Sequence, residues 1–294
     1  MHHTFPWGAK GSTKKLRSMN DSYARFLHGY LYLRFTREYI KLLDKTKEKL
    51  GKHGGVSAAI DRSLSEWYRQ AHHSKVITSD QAKGLVSQVE DIEIDHLEQV
   101  LPFVKARRII LENPDEIVVT DCPCRELQVD PCHPVDVCFV VGAPLAGFML
   151  EHKVRNARKI SQEEAVGRLD EERRRGRVHT AWFKDVLGDR FYAICNCCRC
   201  CCLGLKAFTE HDTEVVVSSG YAASTRPGCN GCAQCVDSCA FGALAPDCGS
   251  VVVDKAVCMG CGVCTNVCER EGIFLEIDES KPRPLEIEGS AESD

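Results

Sequence analysis

The residues able to do chemistry in this chain are cysteines, and they fall into two fields. Toward the C-terminal end stand Cys229-x-x-Cys232-x-x-Cys235-x-x-x-Cys239 and Cys258-x-x-Cys261-x-x-Cys264-x-x-x-Cys268, the second run repeating the first 29 positions on. Three cysteines at such short intervals on a tight loop turn their sulfurs toward three corners of one iron–sulfur cubane. The fourth, across a short helical step, points at a neighbouring cubane. Gly231, Gly260 and Gly262 let the backbone curl close to sulfur and offer N–H donors to it. A pair of zinc sites is the bland rival, but zinc has no use for four cysteines at this spacing in duplicate.

On these residues the segment 215–278 resembles the bacterial two-cluster [4Fe–4S] ferredoxins, whose runs share this spacing. The resemblance implies a small ferredoxin-like domain with crossed ligands. Cluster one would take Cys229, Cys232, Cys235 and Cys268, and cluster two Cys258, Cys261, Cys264 and Cys239. The flanks fit as well, with Ala243-Leu244 and Gly272-Ile273 returning to a small sheet and Val251-Val252-Val253 forming the strand before the second run. The family's proline after the fourth cysteine is replaced by Ala240 and Glu269; Glu269 would set a carboxylate beside cluster one and oppose its reduction. Clusters ligated only by cysteine transfer single electrons and make no bonds.

Of the nineteen cysteines, eleven remain. Cys248 lies in a Pro-Asp-Cys-Gly loop and reads as a free thiol. Cys122, Cys124, Cys132 and Cys138 form one group; Cys195, Cys197, Cys198, Cys200, Cys201 and Cys202 form another. Asp121-Cys-Pro-Cys-Arg125 and the 195–202 run each follow an apolar stretch that reads as a strand, and adjacent or parallel strands would bring the two hooks together. Six cysteines in eight residues cannot all face one ion. An extended run turns Cys195, Cys197 and Cys201 one way and Cys198, Cys200 and Cys202 the other, whereas a helix pairs Cys198 with Cys202. A subset of the ten is therefore expected to form a third metal site, an additional Fe–S cluster or zinc. A thiol relay and inert buried cysteines are the competing readings. Arg125 and Arg199, one in each hook, would offset thiolate charge. His133 and His179 lie nearby and could ligate or shuttle protons, although a lone histidine is more often at the surface or satisfied in the core. The two hooks with the C-terminal runs also resemble ferredoxin-like iron–sulfur proteins of anaerobes, which implies architecture but no reaction.

The elements that must position these residues change along the chain. Residues 1–115 hold no cysteine and look helical: Tyr23, Phe26, Leu27, Tyr30, Leu33 and Ile40 recur at helical spacing, with Gly51, Gly54 and Gly55 as the stop. Val56, Ile60, Leu64 and Trp67 mark a second helix. Thr78 and Gln81 have capping-box spacing, and 97–111 reads as a further helix halted by Asn113-Pro114. From Ile117 onward, short apolar runs at 117–119, 138–141 and 191–194 read as buried strands, with a helix capped by Ser161 and ending near Gly176. Arg173-Arg174-Arg175 follows Asp170, Glu171 and Glu172, a mostly self-neutralising helix surface. The expected class is α+β: a helical region 1–115, an α/β cysteine-rich module 116–212, a two-[4Fe–4S] domain 213–278 and a disordered tail 279–294.

Composition narrows the function classes. With 294 residues, a net charge of −4 and a pI near 6.3, no basic field advertises nucleic acid. An odd cysteine count in a chain of this size argues against a secreted disulfide framework. The N-terminal residues carry lysines without an apolar h-region, and no apolar run is clean enough to span a bilayer. The cytoplasm is the expected compartment. No glycine pattern for nicotinamide, flavin or ATP is present. The expected function is an electron carrier passing low-potential electrons to or from a partner oxidoreductase. The alternative is a reductase whose middle module acts on a small substrate, fed by the ferredoxin domain; a cluster-bearing scaffold on nucleic acid is a third.

Overall fold

The computed structural model describes residues 10–42, 63, 66, 67, 69–95, 97–105, 107–211 and 213–287. The chain mixes helix and sheet. In order come α1 (Gly11–Ser18), α2 (Tyr23–Arg34), β1 (His72–Val76), α3 (Ser79–Val86), β2 (Ile92–Ile94), β3 (Ile109–Asp121), α4 (Pro123–Glu126), β4 (Asp136–Ala143), α5 (Leu145–Glu151) and β5 (Arg158–Ile160). Then follow α6 (Gln162–Arg174), β6 (Val178–Lys184), β7 (Arg190–Cys197), α7 (Leu203–His211), β8 (Val216–Val217), β9 (Tyr221–Thr225), α8 (Gln234–Ser238), β10 (Leu244–Asp247), β11 (Ser250–Val253), α9 (Val263–Val267) and β12 (Ile273–Ile277).

The main sheet has the order β2-β3-β4-β7-β6-β1-β8, with β5 also on β3. From β3 to β1 every neighbouring pair is antiparallel; β8 alone joins in parallel, against β1. Both faces are covered. Ile117, Val119, Phe139 and Val141 pack with α3 and α6, while Val118 and Val140 pack with α1, α2 and α5. This two-sided burial is why the strands read as continuous apolar runs rather than alternating ones. Two smaller sheets, β9 with β12 and β10 with β11, make up the C-terminal part.

Several expected elements are present. Thr78 and Gln81 form a reciprocal capping box on α3, and Ser161 caps α6; α2 is present too, with Ser22 as a cap the sequence reading did not name. The front is not wholly helical, however. It supplies β1, β2 and the start of β3, so the sheet begins well before residue 116. The expected helix over 97–111 is one 3-10 turn, Leu97–Gln99, followed by β3, which runs through Asn113-Pro114. Asn113 takes a left-handed φ of 48°, and the ladder to β4 shifts register between Glu112 and Ile117. That irregularity accommodates a proline lacking an N–H, and the buried Ile109 and Leu111 follow the strand period of two. The segment after Asp278 also stays packed as far as it is described: Leu285 and Ile287 join the core, and Gln81 Nε2 donates to Leu285 O at 2.9 Å. The glycine stop at 51–55 and most of the expected second helix lie outside the described residues.

α2 is held against the turn following β6 by a close backbone approach. A Cβ on Gly29 would sit 2.4 Å from Val186 O, a backbone atom that cannot rotate away. On Gly167 in α6 it would meet nothing within 4 Å. Gly29→Ala should therefore lower stability by about 1–3 kcal/mol, whereas Gly167→Ala should raise it by up to about 1 kcal/mol. Denaturant midpoints at unchanged m-value check both.

Candidate metal centre

The sheet register brings the two cysteine hooks together. β3 and β7 run in the same direction with β4 between them, so the ends of β3 and β7 and the start of β4 share one edge of the molecule. Thr120, Cys138, Cys195 and Thr180 are direct partners across β3, β4, β7 and β6, forming one row on one face. Beyond the row, Cys122 follows β3 with its N–H donating to Val135 O at 2.9 Å, and α4 carries Cys124 and Arg125. Cys197 ends β7. The chain then turns, with Cys202 N–H donating to Cys198 O at 3.0 Å, and enters α7. The strand-like and helical alternatives for 195–202 thus each hold for part of the run.

This geometry sorts the ten cysteines into two groups. Cys132, Cys198, Cys200 and Cys201 bring their sulfurs within 4.8 Å of one another, spacing that suits one tetrahedral ion. Cys200 is exposed and Cys198 and Cys201 are buried, so the group opens to solvent on one side. The other six are neighbours in a pairwise chain: Cys122 acts electrostatically on Cys124 and Cys138, Cys138 pairs with Cys195 across β4 and β7, and Cys124 lies next to Cys202. Cys202 in turn donates to Cys197 Sγ at 3.2 Å.

The charge distribution is uneven. Hydrogen bonds from Cys124 and Cys138, helped by the backbone N–H and charge of Arg125, hold the Cys122 thiol well below its ordinary pKa. Cys124 and Cys138, as its donors, are pushed up. In the outer group, contact with Cys200 lowers Cys132, aided by the charge of Arg177. Arg125 is the buried cation of the site, 1% exposed. It donates to Pro134 O and, at 2.9 Å, to Asn196 O, and lies 3.6 Å from Glu172. Burial works against its charge, but Cys198, Cys122 and Glu172 outweigh that and hold it above the ordinary value. Arg199 is exposed.

Neither histidine joins the sulfurs. His133 is exposed; His179 is buried, bonded to Asn196 Oδ1 at 2.6 Å and Ser79 Oγ at 3.1 Å. The sequence reading missed Arg177, whose charge acts on Cys132, and Thr180, which meets Cys195 through the sheet register; neither carries a motif of its own.

The C-terminal cysteines are arranged differently. Cys229, Cys232, Cys235 and Cys268 line a cavity of about 120 Å3, together with Glu269 and Arg270. Burial raises Cys235, and the neighbouring sulfurs of Cys268, Cys229 and Cys232 add to it. Burial likewise raises Cys264, joined by Cys261, Cys258 and Cys239, and pushes Cys261 up to about 12. The sequence repeat is a structural repeat. Ala243 N–H donates to Cys239 Sγ at 3.4 Å and Gly272 N–H to Cys268 Sγ at 3.2 Å, 29 positions apart; Gly231 and Gly260 share a left-handed φ of 70° and 63°. Cys248 is exposed in the turn between β10 and β11.

Burial lowers the pKa of His179 to about 4. Its folded value lies below its unfolded one, so its neutral form supports stability fully above pH 6.5, and that support is lost as pH falls toward 4. The shift corresponds to about 3 kcal/mol. His179→Gln should flatten the fall between those limits, as read from unfolding midpoints at pH 7 and pH 4.5.

No protein-family model, curated protein or solved structure matches the chain, so the metal-binding assignment rests on the geometry of its own cysteines.

Proposed function

We propose that this chain is an iron–sulfur electron-transfer protein. Cys229, Cys232, Cys235 and Cys268 would hold one [4Fe–4S] cluster, Cys258, Cys261, Cys264 and Cys239 a second, and Cys132, Cys198, Cys200 and Cys201 a single metal ion. The observation that carries this reading is the thiol-lined cavity. Four cysteines from two distant runs surround open space rather than touching one another, which suits a polyatomic group with its own bridging sulfide. The repeated N–H to sulfur bonds fit the same group, since such donors favour the reduced, more negative state. When bound, each cluster supplies one-electron redox chemistry at low potential.

The chain's own residues do the rest. The N–H of Gly231, the side chain of Ser250 and the N–H of Val251 lower the pKa of Cys229, which favours the form that binds metal. Ala223 N–H donates to Cys258 Sγ at 3.3 Å. Glu269 and Arg270 bring opposite charges to the rim of the first cavity. Among the described residues, no helix is long and apolar enough to cross a membrane, and a redox partner protein is the proposed recipient or donor of the electrons.

A second reading is a reductase in which electrons stay within the chain until they reach a substrate near the middle cysteines. One observation favours it: Cys197 and Cys202 share an apolar cluster with Cys239 and Cys261, so the two cysteine fields adjoin through packed apolar side chains.

Anaerobically purified protein should contain at least about eight irons and eight labile sulfides per chain, with reduction giving the EPR of interacting [4Fe–4S]+ centres. Fewer than about four irons would end the electron-transfer reading. Turnover of a small substrate lost in Cys200→Ser, with both clusters still reducible, would favour the reductase. Glu269→Gln should raise the potential of one cluster by on the order of tens of millivolts, the other remaining unchanged in a spectroelectrochemical titration.

A further inference from the structure

The six inner cysteines are the largest chemistry-bearing group that the proposed function leaves unused. They arrive from separate segments: Cys122 and Cys124 from the end of β3 and α4, Cys138 from β4, Cys195 and Cys197 from β7, and Cys202 from the turn before α7. Their contacts run Cys195–Cys138–Cys122–Cys124–Cys202–Cys197, and the charges of Cys195 and Cys122 are felt again at Cys197.

Two features separate this group from buried cysteines that merely fill space. The first is that donors converge on its sulfurs. Cys202 donates to Cys197 Sγ at 3.2 Å. Trp182 Nε1 can only donate, and it donates to Thr180 Oγ1 at 2.9 Å. The single hydroxyl proton of Thr180 is thus left for Cys197 Sγ at 3.3 Å or Cys195 O at 3.5 Å. Donors placed around sulfur support thiolates, as the shell around a metal ligand does. The second is charge. Arg125 is the cation that acts on Cys122, and one guanidinium shared with Cys198 and Glu172 could not balance these six sulfurs in the deprotonated form in which they would bind metal. Metal ions can.

We propose that Cys122, Cys124, Cys138, Cys195, Cys197 and Cys202 form a metal centre of their own, separate from the single-ion site at Cys132 and holding more than one thiophilic ion. A tetrahedral ion takes four ligands, and the outer group already supplies such a set. Six sulfurs in one contact network serve two or more ions, either through bridging thiolates or through added sulfide. Both arrangements are thiolate chemistry. This centre does not depend on the C-terminal clusters.

The test is iron, zinc and labile sulfide per chain on the full-length protein, purified anaerobically, as wild type, Cys200→Ser and Cys122→Ser/Cys202→Ser. Cys200→Ser should lose about one ion. The double variant should lose at least about two ions while keeping the outer ion and the C-terminal iron. Loss of zinc alone identifies bridging thiolates, and loss of iron with matching sulfide identifies a cluster. A folded double variant with unchanged metal, or with one ion fewer, overturns the proposal. If the double variant does not fold, native mass spectrometry of Cys200→Ser, which lacks the outer ion, decides: the metal not accounted for by two [4Fe–4S] clusters must exceed one ion, and one or none overturns it. A shortfall in the C-terminal clusters would appear separately, as fewer than about eight irons in the double variant, whose inner metal is gone.

Discussion

Everything at the centre depends on strand direction. Because β3 and β7 are both antiparallel to β4, their ends fall on the same edge, and the start of β4 lies between them. Inserting one residue before Cys138 would move it to the opposite face, since side chains alternate with a period of two. The row Thr120, Cys138, Cys195, Thr180 therefore acts as a ruler. It fixes where the first sulfurs stand, and the loops after β3 and β7 add the others from above.

With sulfur gathered this closely, charge becomes the governing problem. Neutral thiols tolerate burial, but thiolates in a low-dielectric interior repel one another strongly. The protein answers with very little positive charge of its own. Arg125 is buried, yet it also faces Glu172, which Arg175 contacts at 2.6 Å. Arg177 reaches only the outer group, through Cys132. The protein thus supplies sulfur in excess of its cations at the middle centre, a balance that a bound metal would restore.

How much of this was legible in the sequence depends on how local its cause is. The capping residues Thr78 and Ser161 and the buried strands at Ile117, Phe139 and Ile194 were legible, because caps and two-sided burial leave their mark within a few residues. The 29-residue repeat was legible too, and the matching N–H to sulfur bonds follow it. The strand through Asn113-Pro114 was not, because a bulge makes room for a proline that otherwise signals a stop. Nor was the packing of Leu285 and Ile287, two apolar residues in a charged segment whose burial depends on α3, some two hundred positions earlier. The division of ten cysteines into groups of four and six was equally hidden. It turns on a single turn at 198–202, where the chain leaves the β period and sends neighbouring residues to different sides.

The contact between the two cysteine fields gives the architecture its logic. Val178, Leu205, Phe241, Met259 and Val263 form an apolar cluster that includes Cys197 and Cys202 on one side and reaches Cys239 and Cys261 on the other. Asn266 Nδ2 donates to Arg173 O at 3.1 Å and Ser219 N–H to Met259 O at 3.1 Å, so polar bonds also fasten the C-terminal part to the main sheet. Burial in such a cluster removes water, and with it most of the screening between charges on either side. Under the proposed reading, an electron added to the cluster nearest Cys239 raises the energy of further negative charge at the inner sulfurs more than an exposed arrangement would allow. The apolar contact thus does more than glue two modules together: it makes the redox state of one cysteine field an electrostatic input to the other.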